Sequence, residues 1–366
     1  MHLIPRPKSV INHEGEFFIE RDTEIILSSE LSFEDLNLAI MIQKEIERVL
    51  DFKLNINKLF MDKKYSNSII LRECKFENEE EYKIEIKENK AIIEGSGAGL
   101  FYGCQSFRQL VREFGACIPN LTIEDSPYFK YRGFYHDVTR GMVPTLDTLK
   151  SLVDKAVFYK INQLQLYIEH TFAFKGMSEV WMDKDPLTAE EILILDKYCK
   201  ERHVELVPSL STFGHLYEAL RSKSFRELCE LEIGDEEYSF VDRMAHHTLD
   251  VTNPKSLDFV ESMLLEFIPL FSSDKFNICC DETFDLGKGK SIEKAEKLGV
   301  GKIYTEFLNK VYNIVKRFNK NVMFWGDIIV GYPELLSDIP EDLTCLTWNY
   351  HPQANDVATK IIAEHH

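Results

Sequence analysis

The stretch KFNICCDETFD, residues 275–285, is an apolar run that breaks abruptly into two neighbouring acids, Asp281 and Glu282. Taken alone, the pair fits an exposed loop or a helix N-cap as well as a catalytic site. What surrounds it decides the fold. Strand-like runs recur at RGFYHDV (132–138), NQLQLYIEH (162–170), VELVPSLS (204–211), NVMFWGD (321–327) and LTCLTWNY (343–350). Helical periodicity fills the gaps between several of them, as in TLKSLVDKAVFYK (148–160), SLDFVESMLLEFIPLF (256–271) and KIYTEFLNKVYNIVKRF (302–318). Such alternation predicts a parallel α/β architecture.

Each strand ends in polar or aromatic residues: Asp137, Glu169, His215, the pair Asp281 and Glu282, Trp325 with Asp327, and Trp348 with Tyr350. A (β/α)8 TIM-type barrel keeps its active site at the carboxyl ends of its strands, whereas a doubly wound sheet concentrates function near one switch point. A barrel is therefore expected. Only six of the eight units can be recognised, so we expect a barrel truncated at its C-terminus.

Upstream, EFFIE, TEIIL, NSIILR, EYKIEIK and KAIIEG read as short strands, and residues 33–50 and 99–114 as helices. This predicts a small α+β domain over residues 1–125 and a catalytic barrel over 126–366. The glycines of GSGAGLFYG, residues 95–103, miss the dinucleotide-binding spacing, and a tight strand-to-helix turn accounts for them. Thr188 and Glu191 make a capping box.

The chain has 366 residues, enough for two domains, and 44% are hydrophobic, too many for disorder. Its net charge of -18 has the wrong sign for a nucleic-acid partner. No apolar run is long enough for a membrane span or a signal peptide, so a cytoplasmic protein is expected and the sequon at Asn120 is without meaning. The eight cysteines form neither a zinc pattern nor a disulfide framework, so no metal and no cofactor is expected. Cys279 and Cys280 are expected to pack rather than react.

Glycoside cleavage needs a protonated carboxyl on the leaving oxygen and something to stabilise positive charge at the anomeric carbon. Two carboxylates that serve this from opposite sides of a sugar stand roughly 5 to 10 Å apart. Neighbouring residues reach that separation with difficulty. They suit a substrate that brings its own nucleophile, a 2-acetamido group held by one acid while the other donates a proton.

NICCDE, residues 277–282, resembles the strand-end Asp-Glu signature of glycoside hydrolase family 20, the β-N-acetylhexosaminidases. LIPRPKSV (3–10), GLFYGCQSFRQL (99–110), IEDSPYFKYRGFYHDVTR (123–140), VELVPSLSTFGH (204–215) and LDVTNPKS (249–256) are similar to that family in the same order. The resemblance implies a retaining exo-enzyme that removes terminal N-acetylhexosamine. Asp281 would orient the acetamido group, and Glu282 would be general acid and then base. Glu169 and His215 would form a supporting relay. Arg132 would hold the outer hydroxyls, Trp325 and Trp348 would wall the sugar, Tyr350 would bond the acetamido oxygen, and Asp137 with Arg140 would be a structural ion pair. The family's His-x-His and Asp-Asp around strand two appear here as Gln165, Tyr167, Glu169 and His170. Two rival readings remain: a metal-dependent barrel hydrolase with Asp137, His215, Asp281 and Glu282 as ligands, and a non-catalytic carbohydrate-binding fragment.

Overall fold

Alternating apolar residues in the first third of the chain pair into a seven-stranded sheet: β1 Ser9–Phe18, β2 Glu24–Ser28, β3 Asn55–Leu59, β4 Ser68–Glu73, β5 Tyr82–Lys87, β6 Lys90–Gly95 and β7 Cys117–Asp125. Their order is β1-β7-β5-β6-β4-β2-β3, antiparallel from β1 to β6 and parallel from β6 to β3. Helices Leu36–Leu50 and Ala98–Phe114 pack on each other and on the sheet. Ile25, Ile69, Ile84, Ile93, Phe107 and Leu110 are fully buried there. The computed structural model describes residues 1–59, 65–87, 89–236, 238–350 and 357–365.

The chain divides into two compact units. The first holds Met1–Arg132, Ser151–Asn162 and Arg202–Val204, so a helical segment expected in the barrel domain belongs with the N-terminal sheet. Inside this unit Glu45, with its side chain 2% exposed, meets the guanidinium groups of Arg48, Arg108 and Arg112. Burial opposes its charge, yet the arginines hold its carboxyl down at about 2.

The second unit is built on β8 Gly133–Asp137, β9 Gln163–Ile168, β10 Glu205–Leu210, β11 Lys275–Asn277, β12 Asn321–Trp325 and β13 Thr344–Leu346. Each strand is parallel to its neighbours, and the sheet order follows the sequence order from β8 to β13. A doubly wound sheet would reverse direction at a switch point. Continuous winding is the pattern of a (β/α) barrel, of which the described residues supply six strands.

Residues within the connections set where the helices start. Thr188 accepts from the Glu191 N–H and Glu191 accepts from the Thr188 N–H, so the capping box forms ahead of helix Ala189–Lys200. Asn253 caps helix Pro254–Phe267, with Pro254 in the first turn where its missing N–H costs nothing. Phe172, Phe174 and Phe267 pack against one another, each worth about 2–3 kcal/mol of apolar burial.

Candidate active site

The site forms where β10 and β11 end, and the backbone there is unusual. β11 is only three residues long and stops short of the acids; beyond it the Ile278 N–H still donates to the Met323 carbonyl and the Cys279 carbonyl accepts from the Trp325 N–H, while Cys279 and Cys280 take φ of 58° and 63°. Glu282 at 52° and His215 at 59° lie in the same left-handed region. Non-glycine residues avoid it unless their surroundings hold them there. Cys279 and Cys280 are free thiols, buried, with Cys279 Sγ 3.3 Å from Ser209 Oγ and Thr212 Oγ1 donating to the carbonyl of Ile278.

This turn brings together four residues given roles from the sequence. His215 Nε2 stands 3.3 Å from Asp281 Oδ2 and 3.1 Å from Glu282 Oε2, and its Nδ1 stands 3.8 Å from Glu169 Oε1. Burial disfavours a charged imidazole, but the carboxylates of Asp281, Glu282 and Glu169 outweigh it and raise His215 to about 10. At neutral pH it is an imidazolium shared by three acids. Tyr167 donates to Glu169 Oε1 at 2.7 Å, and Ser211 donates in turn to the Tyr167 oxygen at 3.2 Å. Thr139 Oγ1 accepts from the Glu169 N–H at 3.0 Å, which fixes that acid from behind.

Three residues that the sequence left without a role complete the cluster. Asp327 Oδ2 accepts from the Glu282 N–H at 3.0 Å. Burial is the main cause that raises its carboxyl to about 7. His247 Nδ1 accepts from the His215 N–H at 3.1 Å, so Nε2 carries the proton and donates to the Glu282 carbonyl at 2.9 Å. Burial first, and then the positive charge on His215, lower its pKa and keep it neutral. Asp285 Oδ2 accepts from the backbone N–H groups of His247 and Thr248.

A cavity of about 540 Å³ opens beside the cluster, with Arg140, Glu169, His170, His215, Phe240 and Arg243 among its walls. Of the two arginines given roles from the sequence, Arg140 lines this cavity and Arg132 does not. Arg132 belongs to the N-terminal unit, where it donates to Glu80, to the carbonyls of Lys160 and Phe129, and lies over the Tyr102 ring. Its Nε and Nη1 are engaged by protein acceptors. Arg140 gives its side-chain Nε to Asp137 Oδ2 at 2.6 Å and its backbone N–H to Oδ1 at 3.0 Å, and lines the cavity. The expected Asp137 and Arg140 ion pair forms, but it orients a cavity residue.

Trp325 packs edge-on against Tyr135 at 5.3 Å, and Trp348 lies 5.4 Å from Tyr350. Trp348 and Tyr350 are exposed, Tyr350 by 90%. Asp137, named as a ligand in the metal reading, pairs with Arg140, and among the described residues no group of three or more His, Cys, Asp or Glu is placed to hold a metal ion.

A singly wound parallel half-barrel with an acid pair and a histidine at its strand ends defines a class, the barrel hydrolases. Residues 129–364 match the glycosyl hydrolase family 20 catalytic domain and residues 1–126 match glycosyl hydrolase family 20 domain 2, and the chain belongs to this family. A β-hexosaminidase from Vibrio furnissii is 23% identical over 95% of this chain, which spans 60% of that relative's length. The fold is similar to that of a chitobiase from Flavobacterium johnsoniae, with a TM-score of 0.81 at 20% identity over 99% of this chain and 58% of that one. A Streptomyces plicatus N-acetyl-β-hexosaminidase, solved with thio-NAglucal, gives 0.78 at 22% identity over 99% of this chain and 71% of that one.

Proposed function

We propose that the chain is a retaining exo-β-N-acetylhexosaminidase that releases terminal GlcNAc or GalNAc with the substrate's own acetamido group as nucleophile. The observation that carries this reading is the single imidazole nitrogen of His215 within 3.3 Å of both Asp281 and Glu282. Two carboxyls gathered on one nitrogen do not flank a sugar from opposite faces, as a protein nucleophile and a separate acid would. They suit one acid for the leaving group and one for the acetamido group.

Glu282, carrying the proton that His215 Nε2 hands over across 3.1 Å, gives it to the glycosidic oxygen as the acetamido oxygen forms a bond to C1 and the aglycone bond breaks. Asp281 accepts a hydrogen bond from the acetamido nitrogen and stabilises the positive charge of the resulting oxazolinium ring. Glu282, now a carboxylate, takes a proton from water as that water attacks C1 and opens the ring. Two inversions retain the β configuration. His215, braced by Glu169, keeps both carboxyls in place. Arg140 supplies donors to the outer hydroxyls, Trp325 and Trp348 offer walls for the apolar faces of the sugar, and Tyr350 takes the acetamido oxygen. Free buried thiols support a reducing, cytoplasmic setting.

The test is turnover of 4-nitrophenyl N-acetyl-β-glucosaminide and its galacto epimer, with a thiazoline analogue as inhibitor. Turnover blocked by the thiazoline supports the reading. A folded, active chain indifferent to it would sink neighbouring-group participation. The second reading, a non-catalytic carbohydrate-binding fragment, is favoured by the six strands of the described half-barrel. It prevails if the chain binds N-acetylglucosamine without turnover.

A further inference from the structure

Glu282 is held through its backbone from two sides. Its N–H donates to Asp327, which stands beyond the end of β12. Its carbonyl accepts from His247, which lies in the long connection between β10 and β11. Between these two bonds, and with its carbonyl also accepting from the Phe284 N–H at 2.8 Å, the residue keeps a φ of 52°, a conformation that costs on the order of 1–3 kcal/mol and lasts only where the surroundings over-determine it.

His247 is equipped for this task. It is 1% exposed, its ring stands edge-on to that of His215 at 4.9 Å, and its two nitrogens are both committed. Nδ1 receives the His215 N–H and Nε2 gives to Glu282, so one ring ties the backbone of the relay histidine to the backbone of the acid. Asp285, itself buried, anchors His247 by its main-chain N–H.

We infer that His247 and Asp327 form a clamp on the Glu282 peptide that fixes this residue in its left-handed conformation, and so aims its carboxyl at the glycosidic oxygen. Both are positioning residues. Neither has to touch the substrate. The inference rests on the proposed role of Glu282 as general acid, because aim matters most for a group that must deliver a proton along one line. Misplacement by about 1 Å costs roughly 100-fold in rate.

The experiment compares kcat and KM of wild type, Asp327→Ala, Asp327→Asn, His247→Leu and His247→Gln on two N-acetyl-β-glucosaminides, one with 4-nitrophenol and one with an alkyl alcohol as leaving group. The Asn variant keeps an acceptor, and the Gln variant keeps one donor and one acceptor. We expect Asp327→Ala and His247→Leu to lose about 100-fold in kcat at nearly constant KM, with a larger loss on the alkyl glycoside, where acid assistance counts most. Asn and Gln should recover most of the loss. In a Glu282→Gln background the clamp substitutions should cost almost nothing more, because groups that act as one unit are not additive.

An equal loss on both leaving groups, or full additivity with Glu282→Gln, would overturn the clamp while leaving the proposed activity standing. If wild type turns over neither glycoside, the proposed activity fails and the role in aiming an acid fails with it. The clamp's geometry is tested apart from activity by nitrogen-15 NMR of the histidine rings. His247 should be the neutral Nε2–H tautomer in wild type, and an Nδ1–H tautomer would contradict the bonds that define the clamp.

Discussion

A methyl group on Gly214 would stand 2.4 Å from the carbonyl oxygen of Asp281, so the turns that end β10 and β11 approach backbone to backbone. No side chain fits between them. Gly214→Ala should therefore push the acid pair away from His215. Overpacking of this kind costs about 1–3 kcal/mol. We expect a lower melting temperature together with a fall in kcat of at least about 10-fold, measured by calorimetry and aryl-glycoside hydrolysis. Full activity in Gly214→Ala would show that the two turns move apart freely.

The two arginines of RGFYHDVTR separate stability from binding. Arg132→Gln breaks its bond to Glu80, the side chains being 15% and 21% exposed, and should lower the melting temperature with little change in KM. Arg140→Gln should raise KM about 10-fold or more, with the smaller effect on stability. Steady-state kinetics beside thermal unfolding distinguishes them. A KM effect confined to Arg132→Gln would favour Arg132, as the family resemblance implies, over Arg140.

The direction of β8 puts the two arginines at opposite ends of the strand. Arg132 immediately precedes the strand and Asp137 closes it, so Asp137 and Arg140 lie at the carboxyl end where a barrel works, and Arg132 lies at the other. Strand rhythm, the acid pair, Glu169 and His215 were all readable because each sits at the end of an apolar run. Two strands of the N-terminal sheet were hidden. Asn and Lys interrupt β3 at the sheet edge, and Pro119 with Asn120 in β7 reads as a turn although β7 lies between β1 and β5. His247 and Asp327 act on Glu282 through its main chain, across 35 and 45 residues, and backbone contacts of that range leave no local pattern.

Glu45 should dominate the acid stability of the N-terminal unit. Its carboxyl is held at about 2, below the ordinary value of 4.5, so its contribution is present above pH 4.5 and is lost as pH falls through 2. Glu45→Gln leaves three guanidinium groups around a neutral amide. Breaking a buried pair in this way costs about 3–5 kcal/mol. Urea unfolding at neutral pH should show a loss of that order, and the difference from wild type should shrink as pH falls to about 2. A loss independent of pH would point to packing rather than charge.

His215 predicts the opposite dependence on pH. Burial works against its charge, the acids Asp281, Glu282 and Glu169 work for it, and the balance raises it from 6.5 to about 10. A raised basic group stabilises the folded state fully below the unfolded value and loses that contribution as pH rises through the folded one. His215→Asn keeps a donor but carries no charge. The melting temperature of wild type should thus exceed that of His215→Asn most clearly below pH 6.5, and the gap should close between pH 6.5 and about 10. Asp327, raised from 3.8 to about 7 mainly by burial, contributes a separate fall between those two values, present in both proteins and removed by taking their difference. A gap that stays constant up to about pH 10 would mean that the three carboxylates do not hold a proton on this imidazole.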